Sequence, residues 1–433
     1  MDHARCAALH NYLMSYAWTA EGRSPEDWDA NSTFFTTNGL AAEAIRPRLD
    51  PLLAAFLDKA IVPPIDVDAP PLFLLGGEVD GGLFYHQSYH RAAVFMHMDD
   101  YGLALSVREH EELWHPLETI LSNWISLVDI GKVTASPRDA PSLFDNEKIG
   151  PWVWQPYSET QVDSCIRAWD RLCEAIETRR AALQAQPVQR SPDNANNALE
   201  PHPLVHPSLL DAARIPDPSF ARSFLTRARR PAFSCTAPGL FPPPTDPEAF
   251  LSTQPFTTNH REPNSIIPPV CLFPAGPGIL SHPATNPCST AGFYTPTSPS
   301  TPCILPCPIQ AGLYSEAVDR TCFDTAEEGF RLLLPYPLSQ GHGNPSTAPA
   351  GARTSDGAFI DRQRVDGLFQ HGYKPFGGDY HRPQRLERVL EAWEGLVSRG
   401  VWGVGREGVK GSVERFTEAE GWRWREYVVK ASW

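Results

Sequence analysis

Thirty of the 44 prolines in this chain of 433 residues lie between Pro187 and Pro349. Proline fixes φ near about −65° and removes a backbone donor, so such a density works against helix interiors and central strands. The sequence therefore reads as three parts: an N-terminal body over 1–186, an irregular or disordered insertion over 187–349 rich in Pro, Ser and Thr, and a C-terminal segment over 350–433. A second reading of the middle part is sequence normally removed by splicing. Scattered Phe, Leu and Ile set it apart from a solvated linker.

The outer parts carry the periodic signals. Residues 3–20 read as a helix. Asp50-Pro51 pairs an N-cap residue with a proline at the first helical position, followed by Leu52, Leu53, Phe56 and Leu57 at helical spacing, which predicts a short helix over 51–61. Residues 72–107 alternate short apolar runs with Gly and Asp punctuation, the pattern of an antiparallel meander. Pro116 opens a helix whose apolar face is Leu117, Ile120, Leu121, Trp124, Leu127 and Val128. Ser158 and Gln161 form a capping-box pattern ahead of a stripe of Val162, Cys165, Ile166, Trp169, Leu172, Cys173 and Ile176. Between these two helices, the aromatic loop 150–157 reads as a lid over the core, with ligand stacking as the alternative. After Pro383, Leu386, Val389, Leu390, Trp393, Leu396 and Val397 mark another full apolar face, with Gly400 as its C-cap. Residues 409–429 fit helix or strand. The fold class is α+β: helices with a short meander, the C-terminal helix docking on the N-terminal body, and the proline-rich insertion looping out, since loop closure grows slowly with length.

Charge bounds the partners. The net charge is −14, and residues 1–185 alone hold 27 acidic and 14 basic side chains. An acidic body repels phosphate backbones, so nucleic acid is not an expected partner. The first twenty residues have no basic start followed by an apolar run, and nowhere do about 18 apolar residues follow one another, so neither a leader nor a membrane span is expected. The expected location is cytoplasmic, and the nine cysteines then read as free thiols.

Histidine is the densest chemistry-bearing residue. His86, His90, His97, His110 and His115 fall within 30 residues, interleaved with Asp99, Asp100, Glu109, Glu111 and Glu112. Imidazole with carboxylate suits zinc or non-haem iron. His110 and His115 are five residues apart, which turns the second ring about 140° away from the first on a helix and excludes the zinc-protease pair. Glu112-x-x-His115 lacks the second Glu-x-x-His of a di-iron site. His97-Met-Asp99 places two ligands on one strand face. Over those three residues it resembles the H-x-D element of iron- and 2-oxoglutarate-dependent oxygenases. The resemblance implies a distal histidine, His371 or His381, as third ligand, and Arg385 for the co-substrate. The metal set under this expectation is His97, Asp99 and His381, holding Fe or Zn.

Weaker signals remain. Cys288, Cys303, Cys307 and Cys322 are spaced 15, 4 and 15 apart, only one close pair where structural zinc sites usually have two. Thr295, Ser298 and Thr301 each precede proline and could accept phosphate. No phosphate-cradling glycine loop or nucleophile elbow occurs. The expected function is an interaction or accessory protein without cofactor, with the proline-rich part as a ligand for aromatic grooves. The alternative is a metal-dependent enzyme, an oxygenase or hydrolase, at the 86–115 cluster.

Overall fold

The structure is a computed structural model, and it describes residues 1–62, 82–95, 107, 114–137, 140–141, 148–149, 151–184, 202–258, 265–281, 309–321, 326–338, 350–355, 357–361, 364–371 and 384–430. Helices and short antiparallel sheets make it an α+β protein.

Two large hydrophobic cores organise these residues, with a smaller cluster of Phe256, Cys271, Ile309, Tyr314, Leu333 and Val365 beside them. The first starts with helix α1 (His3–Ala20), capped by Asp2, whose carboxylate accepts from Arg5 N at 3.0 Å. Its buried positions Cys6, His10, Leu13, Met14 and Ala17 recur every one to four residues on one face. Helix α2 (Phe34–Ile45) follows, broken at Gly39 by φ +52°, then α3 (Pro51–Leu57) with Asp50 accepting from Leu52 N and Leu53 N. Of the meander, the described residues show one hairpin, β1 (Gly82–His86) with β2 (Arg91–Phe95), joined by a turn in which His90 has φ +51°. Helix α4 (Leu117–Asp129) buries Leu117, Ile120, Leu121, Trp124 and Leu127 against α1. Strands β3 (Val133–Ala135), β4 (Lys148–Ile149) and β5 (Trp152–Trp154) pair antiparallel in the order β3-β5-β4. Trp152 and Trp154 present ring edges to Trp124, and Tyr16 of α1 stacks on Trp152 at 5.9 Å. The aromatic loop expected as a lid thus includes a core strand.

The second core is built on α5 (Glu159–Gln184). Its capping box forms as read: Gln161 N donates to Ser158 Oγ at 3.2 Å and Ser158 N to Gln161 Oε1 at 3.0 Å. Short helices α6 (Pro207–Ala212), α7 (Phe220–Arg227), α8 (Pro247–Ser252) and α9 (Pro255–Thr258) follow. Next come β6 (Ile266–Ile267), β7 (Cys271–Pro274), β8 (Leu280–Ser281), β9 (Ile309–Gln310), β10 (Gly312–Ser315), β11 (Val318–Asp319), β12 (Gly329–Leu333) and β13 (Gln384–Arg385). A four-stranded antiparallel sheet runs β13-β12-β10-β7. Helix α10 (Leu386–Ser398) buries all six residues of its apolar face and lies along α5, with Arg171 bonded to Glu391 at 2.9 Å and Gly400 turning the chain out at φ +73°. The hairpin β14 (Val404–Gly405) and β15 (Gly408–Val409) and two 3-10 helices, Val413–Glu420 and Trp424–Tyr427, complete this half.

The C-terminal helix therefore docks on the N-terminal segment as expected. The expectation that 187–349 is irregular does not hold for its described residues. Leu204, Leu210, Phe220, Phe224, Phe250, Phe273, Leu313, Phe330 and Leu332 share one buried cluster with α5 and α10. Phe273 of β7 stacks on Trp169 of α5 at 5.1 Å and lies 6.5 Å from Trp393 of α10. The prolines are accommodated where their missing N–H costs nothing. Pro207 and Pro247 occupy first helical turns behind the caps His206 and Asp246. Pro274 ends β7, the edge strand of its sheet. Among the described residues no helix is long and apolar enough to cross a membrane.

Candidate functional site

The histidine cluster is described only in part. His97, Asp99 and His381, the expected metal set, lie outside the described residues, as do His110, Asp100, Glu109, Glu111 and Glu112. Cys288, Cys303, Cys307, Cys322 and the three phosphate-acceptor candidates also lie outside them. Among the described residues no group of three His, Cys, Asp or Glu side chains stands in an arrangement that could hold a metal ion.

The β1–β2 hairpin gathers a smaller polar group. The hydroxyl of Tyr85 and Nδ1 of His90 are 3.0 Å apart, and the same nitrogen is 3.8 Å from Asp50 Oδ1. Asp50 is shared: it caps α3, and its own N–H donates to Gln87 Oε1 at 2.6 Å. Burial, with the Asp50 carboxylate adding to it, pushes the Tyr85 phenol up to about 12. The phenol therefore stays protonated at neutral pH, and this group fixes the hairpin turn onto the start of α3. His86 packs its ring against Tyr89 at 4.7 Å and Trp114 at 6.3 Å. His115 bridges to Ala92 through two backbone hydrogen bonds of 2.7 and 2.9 Å.

His371 and Arg385 belong to the second core. His371 is buried, with Nδ1 3.3 Å from Ser355 Oγ. Arg385 precedes α10, its Nη1 3.9 Å from Glu387, and burial lowers its guanidinium below the ordinary value.

A belt of buried charge is the main polar feature, and sequence reasoning missed it. Lys132, fully buried after α4, donates to Glu328 Oε2 at 3.0 Å and to Pro156 O at 2.9 Å. Gln161 of α5 donates to the other oxygen of Glu328 at 2.9 Å. The neighbouring Glu327 accepts from Arg320 Nε at 2.6 Å and from Phe220 N at the start of α7 at 3.0 Å. Burial raises the Glu327 carboxyl against the pull of Arg320. Two residues into β12, Arg331 reaches both oxygens of Glu316 through Nε, at 3.0 and 2.7 Å, and Asp366 through Nη1 at 2.9 Å. Arg364 grips the same Asp366 at 2.9 and 3.0 Å. Burial pushes Glu316 up to about 7 despite Arg331. For Asp366 burial acts the same way, but the two guanidiniums outweigh it and hold its carboxyl below the ordinary value.

The belt joins both cores at the head of β12. Each of its carboxylates is engaged by a cation, a geometry that fixes the register of α5, α7 and β12. Among the described residues the buried thiols are likewise quiet: burial raises Cys6 to about 12, Cys271 to about 12, and Cys165 well above the ordinary value, so these persist as small core side chains rather than nucleophiles. The sequence signal for the belt was Glu327-Glu328 and Arg331 set in an otherwise apolar run, Gly329–Leu334. Comparison with protein-family models, curated proteins and solved structures found no match.

Proposed function

We propose that this chain acts as an interaction or accessory protein of the cytoplasm that docks other proteins rather than transforming a substrate. The observation that carries the proposal is the outer face of α2. Beyond the break at Gly39, Leu40, Ala41, Ala44 and Ile45 are all exposed, Leu40 at 90%, and their spacing puts them on one helical side. Phe35 and Ala42 are the buried residues of that helix, so its apolar surplus faces outward. Arg46 at its end is clamped by Glu43 and Asp58, which holds the face in place. An apolar helix face rimmed by ion pairs is the usual form of a protein docking surface. The proline-rich part between Pro187 and Pro349 offers a second mode, as a ligand for aromatic grooves.

The test uses the tagged full-length chain and its Leu40→Glu variant. Partners recovered from cells are reconstituted from purified components. A stoichiometric complex that Leu40→Glu abolishes, with the melting temperature unchanged, supports the proposal. The alternative, a metal-dependent enzyme using His97, Asp99 and His381, rests on sequence spacing. Stoichiometric iron or zinc in the purified chain, lost on His97→Ala with the fold intact, would establish that enzyme and displace the docking reading.

A further inference from the structure

The break in α2 places a reactive peptide bond on the surface. Asn38-Gly39 is the one Asn-Gly step in the chain, and both residues are exposed. At Gly39 the helical path is lost, with φ +52° and ψ −132°, and beyond its chain neighbours nothing lies within 4 Å of the place a Cβ would occupy. The Gly39 nitrogen therefore has no side-chain atom of its own residue to shield it. Asn38 closes the stretch 34–38, little more than one turn long, and a helical piece that short is marginal in water. Its start is secured by the capping box of Thr33 with Thr36 and by the buried Phe35. At its end the Asn38 side chain is held by one exposed bond, from Nδ2 to Phe34 O at 2.8 Å. Water replaces such a bond at a cost of about 1 kcal/mol.

Other described residues lack this combination. The Asn11 amide is tied at both ends, donating to Lys59 O and accepting from Ile61 N, each at 2.9 Å. Asn31 and Asn123 are followed by Ser32 and Trp124, whose Cβ atoms crowd the nitrogen that would attack, and Asn123 lies inside α4. Asp366-Gly367 has the glycine, but its carboxylate is buried and held by Arg331 and Arg364, and a Cβ on Gly367 would overlap the side chain of Ile360.

We infer that Asn38 is a self-modification site, which ring closure with Gly39 converts into aspartate and isoaspartate. The Gly39 nitrogen gives its proton to solvent and attacks Cγ of Asn38. A C–N bond forms, the bond from Cγ to Nδ2 breaks, and the side-chain amide leaves as ammonia. Water then opens the cyclic imide. Opening at Cγ gives aspartate, and opening at the main-chain carbonyl gives isoaspartate, whose backbone is one methylene longer. Nothing is oxidised or reduced, and the net change is one water taken up for one ammonia released. Both products set a carboxylate at the C-terminal end of the first piece of α2, where the helix dipole disfavours negative charge. Leu40 follows directly after Gly39, so the change alters how the exposed apolar face is held. That consequence rests on the docking reading of α2, whereas the reaction does not.

The experiment incubates the purified full-length chain at neutral pH in water enriched in heavy oxygen, beside a synthetic peptide of residues 34–45 as the unfolded reference. Mass analysis of digests taken over time reads the rate at each asparagine. Position 38 is expected to convert within tenfold of the peptide rate, gaining one heavy oxygen and giving two separable products. Asn11, Asn31 and Asn123 should convert at least tenfold more slowly than position 38. Asn38→Gln removes the favourable ring size and should leave the α2 fragment unreacted, with the melting temperature unchanged. Conversion of position 38 more than tenfold slower than the peptide overturns the inference, as does conversion of any other asparagine within tenfold of it. Products persisting in the α2 fragment of Asn38→Gln overturn it too. These readings need no partner, so their failure leaves the Leu40→Glu test of docking untouched, and failure of that test leaves the reaction standing.

Discussion

Replacing Phe273 by alanine tests how deeply the proline-rich part is built into the molecule. Phe273 is fully buried, stacked on Trp169 of α5 and close to Trp393 of α10, so its ring fills the space between the two principal helices. Removing a buried phenyl ring loses its transfer free energy and leaves a cavity lined by two indoles that cannot collapse inward. The cost should be about 3–5 kcal/mol, of which the ring–ring contact supplies roughly 1 kcal/mol. Phe273→Leu keeps most of the volume and should cost less, on the order of 1 kcal/mol. Urea denaturation of the full chain, followed by near-ultraviolet circular dichroism, reads both values and reports the tryptophan environment directly. A surface position would change stability by less than about 0.5 kcal/mol. A loss below about 1 kcal/mol for Phe273→Ala, with the tryptophan signal unaltered, would refute the packing of β7 against the two helices.

Four further outcomes follow from buried charge and backbone geometry. Lys132→Met strips Glu328 of its ammonium in the joint between the cores and should cost about 3–5 kcal/mol in urea denaturation, with Glu328→Gln on the same background recovering part of the loss. His10 is buried, and burial lowers its imidazole from 6.5 to about 4, so its neutral form belongs to the folded state. Its contribution is present above pH 6.5 and lost as pH falls through 4, about 3 kcal/mol in all; in His10→Gln that slope should vanish. Glu316 works in the opposite sense: its carboxyl is raised, so its contribution is present below about pH 4.5 and lost as pH rises through 7, and Glu316→Gln should flatten the stability profile between those values. A Cβ on Gly408, at φ +110°, would overlap the backbone oxygen of Cys235. Gly408→Ala should therefore lower stability by about 2 kcal/mol or more, while Gly278→Ala, at φ +79° with nothing within 4 Å, should cost only about 1 kcal/mol.

Local signals were legible and long-range ones were not. The caps at Asp50 and at Ser158 with Gln161, and the stripes of α4, α5 and α10, appear in the structure at the positions their spacing indicates, because each depends on residues within a turn or two. The docking of the C-terminal helix on the N-terminal body followed from apolar faces that needed a cover; the structure supplies α5 as the partner. The middle part was misread because proline density was taken as a bar to structure. Pro207, Pro247 and Pro274 sit at helix starts and at the end of an edge strand, where proline obstructs nothing. A count of prolines is blind to that placement. The charge belt escaped for another reason. Its partners are far apart in the chain, as in Lys132 with Glu328 and Arg331 with Asp366, and no local pattern announces such pairs. The histidines were read as one cluster along the chain. The fold gives His86 and His90 packing and turn-fixing contacts, and gives His115 a backbone bridge to Ala92.

Amide hydrogen exchange on the intact chain tests most directly whether the two helices and the strands of the proline-rich part form one core. The account predicts that residues 271–274, 312–315 and 329–333 exchange as slowly as the buried turns of α5 and α10, and that all of them open together in denaturant. Exchange of those strands at the rate of a free peptide, while α5 and α10 stay protected, would contradict it.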